Sequence, residues 1–312
     1  MKKKICLIGG NSLLGSKILE KNEEFEITST IHNENIFNKS DKIIKLDLTN
    51  WKNCLKILEL KPDIIINTAA ITDVDFCEKN QNIATNVNVR GVENLVKISK
   101  QLGCKIIQIS TDGIFSGKGG KYFEVDLPNP INHYGKTKLE SEKIVSNLED
   151  HLILRTSVLY GFISKKMIES RSKYSKKMNF VLWVLYSLNE SKKLRIVNDQ
   201  FSNPTFADNL AQIIFESIKK NLIGIYNATD RDCISRLDFV KKIAKKFNYD
   251  FDLIQPISSK ELNQFAKRPL KTCLDCSKIS KEGIGINSID YSLEKFYLQV
   301  KKENPLLISN LK

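Results

Sequence analysis

The first half of the chain alternates short apolar runs with longer stretches in which apolar residues recur every three or four positions. Short apolar runs are typical of buried parallel strands, whereas the longer period is typical of helices. The predicted strands are residues 4–8, 26–31, 42–47, 62–67, 105–110 and 152–155, and the predicted helices between them include 51–60, 84–102 and 134–147. Repeated strand–helix units predict an α/β fold with a doubly wound parallel sheet covered by helices on both faces.

The pattern changes after residue 161. Residues 164–177 are polar and lysine-rich, which is typical of a surface segment and suits a lid. Shorter helices and strands follow at 179–187, 195–197, 208–218, 223–227 and 238–247. We therefore predict a first domain of residues 1–161, to which residues 195–228 return, and a smaller mixed C-terminal domain formed by residues 162–194 and 229–312.

A glycine-containing turn follows the first predicted strand. It reads Gly9-Gly10-Asn11-Ser12-Leu13-Leu14-Gly15 and leads into a predicted helix. Because backbone N–H groups at a helix N-terminus attract anions, this arrangement predicts a pyrophosphate site in a Rossmann-type fold. Ser12 stands in place of the usual middle glycine and puts a Cβ on the ligand side. The alternative is a plain strand-to-helix turn without a ligand.

A second group of reactive side chains follows the fifth predicted strand. That strand ends in Ser110-Thr111-Asp112, and Tyr134 is followed four residues later by Lys138. On a helix this spacing puts the tyrosine and the lysine on one face, where an ammonium lowers the pKa of a phenol. A hydroxyl that holds a carbonyl oxygen and a tyrosine that transfers a proton interconvert a carbonyl and an alcohol. The alternative is an exposed tyrosine beside a solvated lysine.

The composition narrows the range of partners. The chain of 312 residues has a formal net charge of +13, but its lysines are spread along the sequence and form no basic patch with interleaved aromatic residues. We therefore expect no nucleic acid partner and expect the charge to attract an anionic substrate. The apolar run at 180–186 is too short to span a membrane, and the basic residues at 2–4 precede an apolar run that stops at Gly9, unlike a signal peptide.

Seven cysteines are scattered along the chain. Several fall in predicted strands and helices, where free thiols pack as small apolar side chains. Cys273 and Cys276 form a single CxxC pair without a second pair nearby, so we expect no metal site and keep zinc or redox chemistry as minor alternatives. The odd number of cysteines and the lack of a secretion signal favour a reducing cytoplasm.

Together these motifs resemble the extended short-chain dehydrogenase/reductase family and, within it, the dTDP-4-dehydrorhamnose reductases. The resemblance covers nearly the whole chain, and its last two motifs are shared by few other subgroups. It is carried by the glycine turn at 9–15, Asp47-Leu48-Thr49, residues 62–75, Val87-Asn88-Val89, residues 110–117, the YxxxK at 134–138, residues 199–205 and Arg268-Pro269.

The resemblance implies NAD(P)H-dependent reduction of the 4-keto group of a nucleotide-activated deoxysugar, for surface polysaccharide or glycan synthesis. Tyr134 would protonate the sugar 4-oxygen, Lys138 would hold the nicotinamide ribose and lower the tyrosine pKa, and Thr111 would bind the carbonyl oxygen. The implied cofactor-binding residues are Gly9, Asn11, Ser12, Leu13, Leu14, Asp47, Leu48, Ala69, Ala70, Ile71, Asn88, Tyr134 and Lys138. The implied substrate-binding residues, in part on the C-terminal substrate-binding domain, are Thr72, Asp75, Thr111, Asp112, Arg155 and Arg268.

Two of these assignments have structural alternatives, and some positions depart from the family. Asp75 also suits a helix N-terminus, and Arg155 also suits a structural ion pair. Gly113 stands where the family often has tyrosine, and Val158 stands where it often has tryptophan, so the packing of the sugar ring would differ.

The choice between NADPH and NADH depends on the end of the second strand. That strand ends at His32 without a carboxylate at the expected ribose-binding point. Since a carboxylate there would repel a 2′-phosphate, the resemblance favours NADPH. NADH stays the alternative, because Glu34 lies nearby and would have the opposite effect.

Other functions of related proteins remain as alternatives. The 4,6-dehydratases carry Asp-Glu after the threonine, whereas Gly113 follows Asp112 here, and epimerase-reductases of the fucose type place a cysteine where this chain has Thr111. A non-catalytic regulatory subunit, resembling that of methionine adenosyltransferase, would keep the fold and bind NADP. The resemblance also admits a homodimer formed through helices of the first domain.

Overall fold

A parallel sheet lies at the centre of the structure. The computed structural model describes residues 2–32, 42–163 and 178–308. In these residues the strands are β1 (Lys4–Ile8), β2 (Glu26–Ile31), β3 (Lys42–Lys45), β4 (Ile64–Asn67), β5 (Lys105–Thr111), β6 (His151–Thr156), β7 (Leu159–Tyr160), β8 (Leu194–Val197), β9 (Phe201–Ser202), β10 (Thr205–Phe206), β11 (Gly224–Asn227), β12 (Ile234–Ser235) and β13 (Ile254–Ile257). The main sheet has the order β11-β6-β5-β4-β1-β2-β3 with parallel pairing throughout, so its strand order reverses between β1 and β4.

Helices connect the strands and cover both faces of the sheet. They are α1 (Leu13–Lys21), α2 (Trp51–Cys54), α3 (Lys56–Leu60), α4 (Val74–Lys79), α5 (Gln81–Thr85), α6 (Gly91–Leu102), α7 (His133–Val145), α8 (Phe180–Asn189), α9 (Ala207–Lys219), α10 (Arg236–Phe247), α11 (Ser277–Lys281) and α12 (Ile289–Glu303). One turn of π-helix, Asn86–Arg90, joins α5 to α6. Helix α1 packs against α9 on one face of the sheet, and α6 packs against α7 on the other.

Strand β1 shows how the apolar sequence follows from burial on both faces. Ile5 and Leu7 belong to one hydrophobic cluster, and Cys6 and Ile8 belong to the cluster on the opposite face. All four side chains are at most 1% exposed. Because successive side chains in a strand point to opposite faces, both faces must be apolar, which is why the run is continuous rather than alternating.

A third core under the later helices is rich in aromatic residues. The buried Tyr160 packs its ring against Phe206, Phe239 and Phe296, with ring centroids 5.5–5.6 Å apart. These residues come from β7, β10, α10 and α12, so one core joins short elements that are distant in sequence. Small two-stranded sheets lie beside it: β7 with β10, β9 with β12, and β8 with β13.

The structure confirms the Rossmann-type doubly wound α/β fold, with modest differences in element bounds. The strand predicted for 42–47 ends at Lys45, and the long helix predicted from Ala84 begins at Gln81. Strand β11 joins the main sheet, whereas β8 pairs with β13 outside it. The division into domains stays a prediction, and the proposed lid at 164–177 lies outside the described residues.

One pair of cysteines is bonded, which corrects the expectation of free thiols. Cys233 and Cys273 form a disulfide with their Cα atoms 5.5 Å apart, a normal separation for this bond. Cys276, the CxxC neighbour, is a free thiol whose sulfur lies 3.2 Å from the Thr229 hydroxyl. The bonded residues are separated by 40 positions. Only tertiary structure brings them together, so sequence spacing does not reveal the pair.

The described part of the chain has neither a helix suited to span a membrane nor a cluster of metal ligands. Within it, no helix is long and apolar enough to cross a membrane. The same residues contain no group of three or more His, Cys, Asp or Glu side chains placed to hold a metal ion. The apolar run at 180–186 forms most of α8, which has 10 residues.

A candidate active site at the ends of the central strands

The turn between β1 and α1 forms a cradle of backbone N–H groups. Gly9 has a φ of +82°, a conformation that side chains disfavour, and a Cβ on Gly15 would collide with the Gly9 carbonyl oxygen. The Ser12 hydroxyl accepts a 2.9 Å hydrogen bond from the Gly15 N–H and lies 2.9 Å from the Thr68 hydroxyl. Ser12 thus caps α1, and the start of this helix stands where the strand order reverses, as in dinucleotide sites.

The other predicted residues of this turn differ in exposure. Asn11 is partly exposed. Leu13 is buried in the aromatic core, and Leu14 is buried in the cluster beneath the sheet. Any contact of Leu13 or Leu14 with a pyrophosphate would therefore be made by the backbone, while their side chains anchor the helix.

Asn88 fastens the loop that follows β4. Its Oδ1 accepts a hydrogen bond from the Ile71 N–H at 2.8 Å, and its Nδ2 donates to the Ile71 carbonyl and to the Thr137 hydroxyl at 3.1 and 3.0 Å. Asn88 is 2% exposed and lies in the π-turn. The geometry therefore favours a positioning role over the predicted direct cofactor contact. It holds the loop 69–71, whose residues Ala69 and Ala70 are partly exposed.

The predicted adenine side of the site lies at the ends of β2 and β3. One oxygen of Asp47 accepts hydrogen bonds from the Thr49 N–H and hydroxyl at 2.9 and 2.8 Å, so the carboxylate shapes the turn. His32 Nε2 lies 4.0 Å from the other Asp47 oxygen. Leu48 is buried in the sheet-face core. Glu34, which bears on the choice between NADPH and NADH, lies outside the described residues.

The three predicted catalytic side chains meet at the end of β5 and the start of α7. The Thr111 hydroxyl lies beside the Tyr134 ring, next to Gly113, and accepts from the Gly113 N–H at 3.1 Å. The Tyr134 ring packs against the cluster containing Ile71, next to the loop after β4. Lys138 Nζ donates a 2.6 Å hydrogen bond to the Ile109 carbonyl.

The pKa values at this site correct one prediction. Lys138 was expected to lower the pKa of Tyr134, but burial raises that pKa well above its usual value, partly offset by the hydrogen bond with Thr111. Burial also lowers the pKa of Lys138 to about 8, and the nearby Glu142 carboxylate opposes this shift. The phenol therefore stays protonated, which suits a proton donor.

Asp112 joins three hydroxyl groups beside this site. Its carboxylate accepts hydrogen bonds from Thr111 at 3.1 Å, from Ser157 at 2.6 Å and from Thr272 at 2.5 Å. Burial raises the pKa of Asp112, and the three hydrogen bonds counteract the rise. Because the Thr111 hydroxyl has one proton, donation to Asp112 leaves its lone pairs for the Tyr134 phenol. Sequence reasoning named Asp112 but missed Ser157 and Thr272.

The two predicted substrate arginines lie in different environments. Arg155 is 2% exposed and binds Glu142 with an Nη2–Oε2 distance of 2.8 Å, so the geometry supports the ion-pair alternative and corrects its assignment to substrate. Arg268 forms a 3.1 Å ion pair with Asp75, whose other oxygen accepts from the Ala266 N–H at 2.9 Å. Asp75 lies in the first turn of α4, where Asp73 is the N-cap. Thr72 is exposed beside it.

Val158 has a backbone conformation that strains a β-branched residue. Its φ is +42°, in the left-handed region. The carbonyl of Val158 accepts a hydrogen bond from the Thr205 N–H at 3.3 Å, and the preceding Ser157 binds Asp112. Backbone strain of this kind is often found at functional sites. Val158 is therefore a candidate site position, and the family often has tryptophan there.

Comparisons with known proteins agree with this geometry. Over 305 residues the chain is 30% identical to dTDP-4-dehydrorhamnose reductase of Aggregatibacter actinomycetemcomitans, covering 92% of this chain and 95% of that protein. Over 235 residues it is 31% identical to methionine adenosyltransferase 2 subunit beta of Xenopus tropicalis, covering 73% and 67%. The crystal structure of Bacillus anthracis dTDP-4-dehydrorhamnose reductase in complex with NADP matches with a TM-score of 0.84 at 30% identity, covering 96% and 100% of the two chains.

The family model described as the RmlD substrate binding domain matches residues 3–301. This range includes the glycine turn, the YxxxK at 134–138 and Arg268-Pro269. The resemblance inferred from the motifs is thereby confirmed, and the chain belongs to this family.

Proposed function

We propose that this chain reduces the 4-keto group of a nucleotide-activated deoxysugar with NADPH, for surface polysaccharide or glycan synthesis. The observation that carries the proposal is the placement of Thr111 and Tyr134 side by side next to Gly113 at the end of β5, with only β4 between this strand and β1 of the cradle. The similarity to dTDP-4-dehydrorhamnose reductases supports the same reaction.

The side chains suit the protonation half of such a reaction. Bound NADPH supplies the hydride for the carbonyl carbon. Tyr134 holds a proton at neutral pH, since burial raises a phenol pKa that is already well above 7, and it donates this proton to the carbonyl oxygen. Thr111 lies beside Tyr134, and on substrate binding its one proton would turn from Asp112 to the carbonyl oxygen, so that both hydroxyls would donate to the same oxygen. Lys138, charged below about pH 8, holds the ribose hydroxyls.

The residues present fit a dinucleotide. A Cβ on Gly15 would collide with the Gly9 carbonyl oxygen, so the glycine lets the start of α1 pack closely against the turn, as in dinucleotide-binding folds. Gly9, Asn11 and Ser12 would bind the pyrophosphate, Asp47 and Leu48 would approach the adenine, and Ala69, Ala70 and Ile71 would line the ribose. His32 at the end of β2 would face the 2′-phosphate, which supports NADPH over NADH.

A coupled assay tests the proposal. NADPH absorbance is followed with dTDP- and UDP-linked 4-keto-6-deoxy sugars, using wild type, Tyr134→Phe and the control Tyr291→Phe, whose side chain is on the surface. We expect turnover by wild type and the control, and a loss of at least about 100-fold in Tyr134→Phe. Equal turnover by Tyr134→Phe and wild type would remove Tyr134 from the mechanism.

A regulatory subunit is the second candidate, favoured by the similarity to methionine adenosyltransferase 2 subunit beta. In that case Tyr134, Lys138 and Thr111 would serve cofactor binding alone. Tight NADPH binding, no turnover on any sugar, and co-purification with a methionine adenosyltransferase catalytic subunit would establish it. Turnover in the assay above would exclude a purely regulatory role.

The assembly and location of the protein belong to the same proposal. We expect a homodimer in the cytoplasm, as the resemblance to related reductases implies. Sedimentation equilibrium tests whether the protein is a dimer. The Cys233–Cys273 bond weighs against a reducing compartment. Intact cells are quenched with acid, and the free thiols of the protein are counted. This count decides between a reducing and an oxidising compartment.

A further inference from the structure

Arg236 differs from the other arginines in the described residues. It begins α10, its guanidinium lies 4.7 Å from the centroid of the Phe180 ring, and its side chain is partly buried. Within the described ranges, no carboxylate forms an ion pair with Arg236 and no acceptor takes a hydrogen bond from its guanidinium. The other arginines there have such partners: Arg90, Arg155, Arg195, Arg231 and Arg268.

The charges around Arg236 place it beside the candidate active site. Its charge acts favourably on the Asp112 carboxylate, which adjoins Thr111, and unfavourably on the Arg268 guanidinium. Burial lowers the pKa of Arg236 to about 10, against the effect of Asp112. Two guanidinium groups thus share one positive region, although Arg268 already has Asp75 as its partner. Such a region attracts an anion.

The backbone of this segment is tied to the substrate side of the site. The Arg236 N–H donates to the Gln200 carbonyl at 2.9 Å. Three residues earlier, Cys233 is bonded to Cys273, and the adjacent Thr272 binds Asp112. Arg236 is therefore held in a fixed position relative to the end of β5, although its guanidinium lacks an acidic partner. Sequence reasoning missed it because no motif contains it.

We infer that Arg236 binds the sugar-proximal phosphate of the nucleotide-sugar substrate. The inference rests on the proposed function, which puts the sugar C4 at Thr111 and Tyr134 and the diphosphate beyond C1. A guanidinium offers two parallel N–H groups to phosphate oxygens, a match that lysine or glutamine does not reproduce. The cofactor's own diphosphate would lie at the β1–α1 turn, so Arg236 binds the diphosphate of the substrate.

Calorimetric binding of dTDP, UDP, dTMP and NADPH tests this role in wild type, Arg236→Gln, Arg236→Lys and the control Arg195→Gln. Arg195 is an exposed arginine with a 3.8 Å ion pair to Glu261. We expect Arg236→Gln to weaken nucleoside diphosphate binding by about 10- to 100-fold, and Arg236→Lys to have an affinity between those of wild type and Arg236→Gln. The affinity for dTMP should fall less. NADPH binding stays unchanged in all variants.

Stability separates a binding role from a structural one. Because Arg236 has no acidic partner to lose, Arg236→Gln should keep or raise the Tm of the ligand-free protein. A lower Tm with unchanged dTDP affinity would show that Arg236 is structural, and weaker NADPH binding would assign it to the cofactor; either result overturns the inference. If wild type binds NADPH but neither dTDP nor UDP, the proposed function itself fails.

Discussion

The Thr272 hydroxyl donates a 2.5 Å hydrogen bond to the Asp112 carboxylate, across 160 positions of sequence. Asp112 directly follows Thr111, so this bond ties the C-terminal part of the chain to the end of β5. The carboxylate is partly buried and accepts hydrogen bonds from three hydroxyl donors. The end of β5 that carries Thr111 and the C-terminal segment are therefore coupled through one carboxylate.

Removal of the Thr272 hydroxyl should destabilise the fold. In Thr272→Val the partly buried Asp112 loses one of its donors, so we expect the free energy of unfolding to fall by about 1–3 kcal/mol. Urea unfolding measures the change. Thr272→Ser keeps the donor and serves as the control; equal stability of Thr272→Val and Thr272→Ser would show that the bond contributes nothing.

Lys138 should set the alkaline limit of activity. Its folded pKa of about 8 lies below the usual value of 10.5, so Lys138 loses its charge, and kcat/KM falls, above about pH 8. Stability has the opposite dependence: between these two pKa values the unfolded chain holds more protons, so the contribution of this residue to stability rises with pH.

A profile of kcat/KM between about pH 6 and pH 10 measures the activity limit. Lys136→Met, on the exposed side of the same helix, should keep the wild-type profile. Activity that persists unchanged to about pH 10 in wild type would mean that the charge on Lys138 is not required.

Arg155 and Arg268 should respond differently to substitution. Arg155→Met leaves Glu142 buried without its partner, so we expect a loss of about 3–5 kcal/mol in the free energy of unfolding. Arg268→Met removes a more accessible ion pair with Asp75 and should change stability by about 1 kcal/mol or less. Thermal unfolding of both variants makes the comparison, and a larger loss for Arg268→Met would reverse the two assignments.

The Cys233–Cys273 bond should contribute to stability. It closes a loop with a sequence separation of 40 residues, for which the typical gain is about 2–4 kcal/mol. We expect Cys233→Ala and treatment with excess dithiothreitol to lower the free energy of unfolding by similar amounts. The two should not add, since both remove the same bond. A further loss on reducing the Cys233→Ala variant would point to another disulfide.

Local patterns in the sequence predicted the fold and the grouping of Thr111, Tyr134 and Lys138. The apolar runs predicted β1 to β6 because strands buried on both faces leave a continuous apolar signal. The spacing of Tyr134 and Lys138 placed them on one helix face, and both lie at the site with Thr111. The expected lowering of the Tyr134 pKa is not found, because burial, which depends on the whole fold, raises this pKa.

The residues missed by sequence reasoning share a dependence on distant contacts. Thr272 meets Asp112, and Cys233 meets Cys273, only after the C-terminal segment has packed. The role of Asn88 changed for the same reason, since its amide is occupied by Ile71 and Thr137 from two other elements. A single sequence contains the residue types but not these pairings.

The π-turn at Asn86–Arg90 acts as a phase shift within one long helical rod. Before it, the Thr85 hydroxyl lies 3.1 Å from His133 Nε2, and after it, Leu95 is buried in the sheet-face core. Deleting one residue from this turn would rotate the two halves of the rod by about 100° relative to each other. Either the Thr85 end or the Leu95 end would then lose its contacts. The number of residues in Asn86–Arg90 is therefore fixed by the contacts on both sides of it.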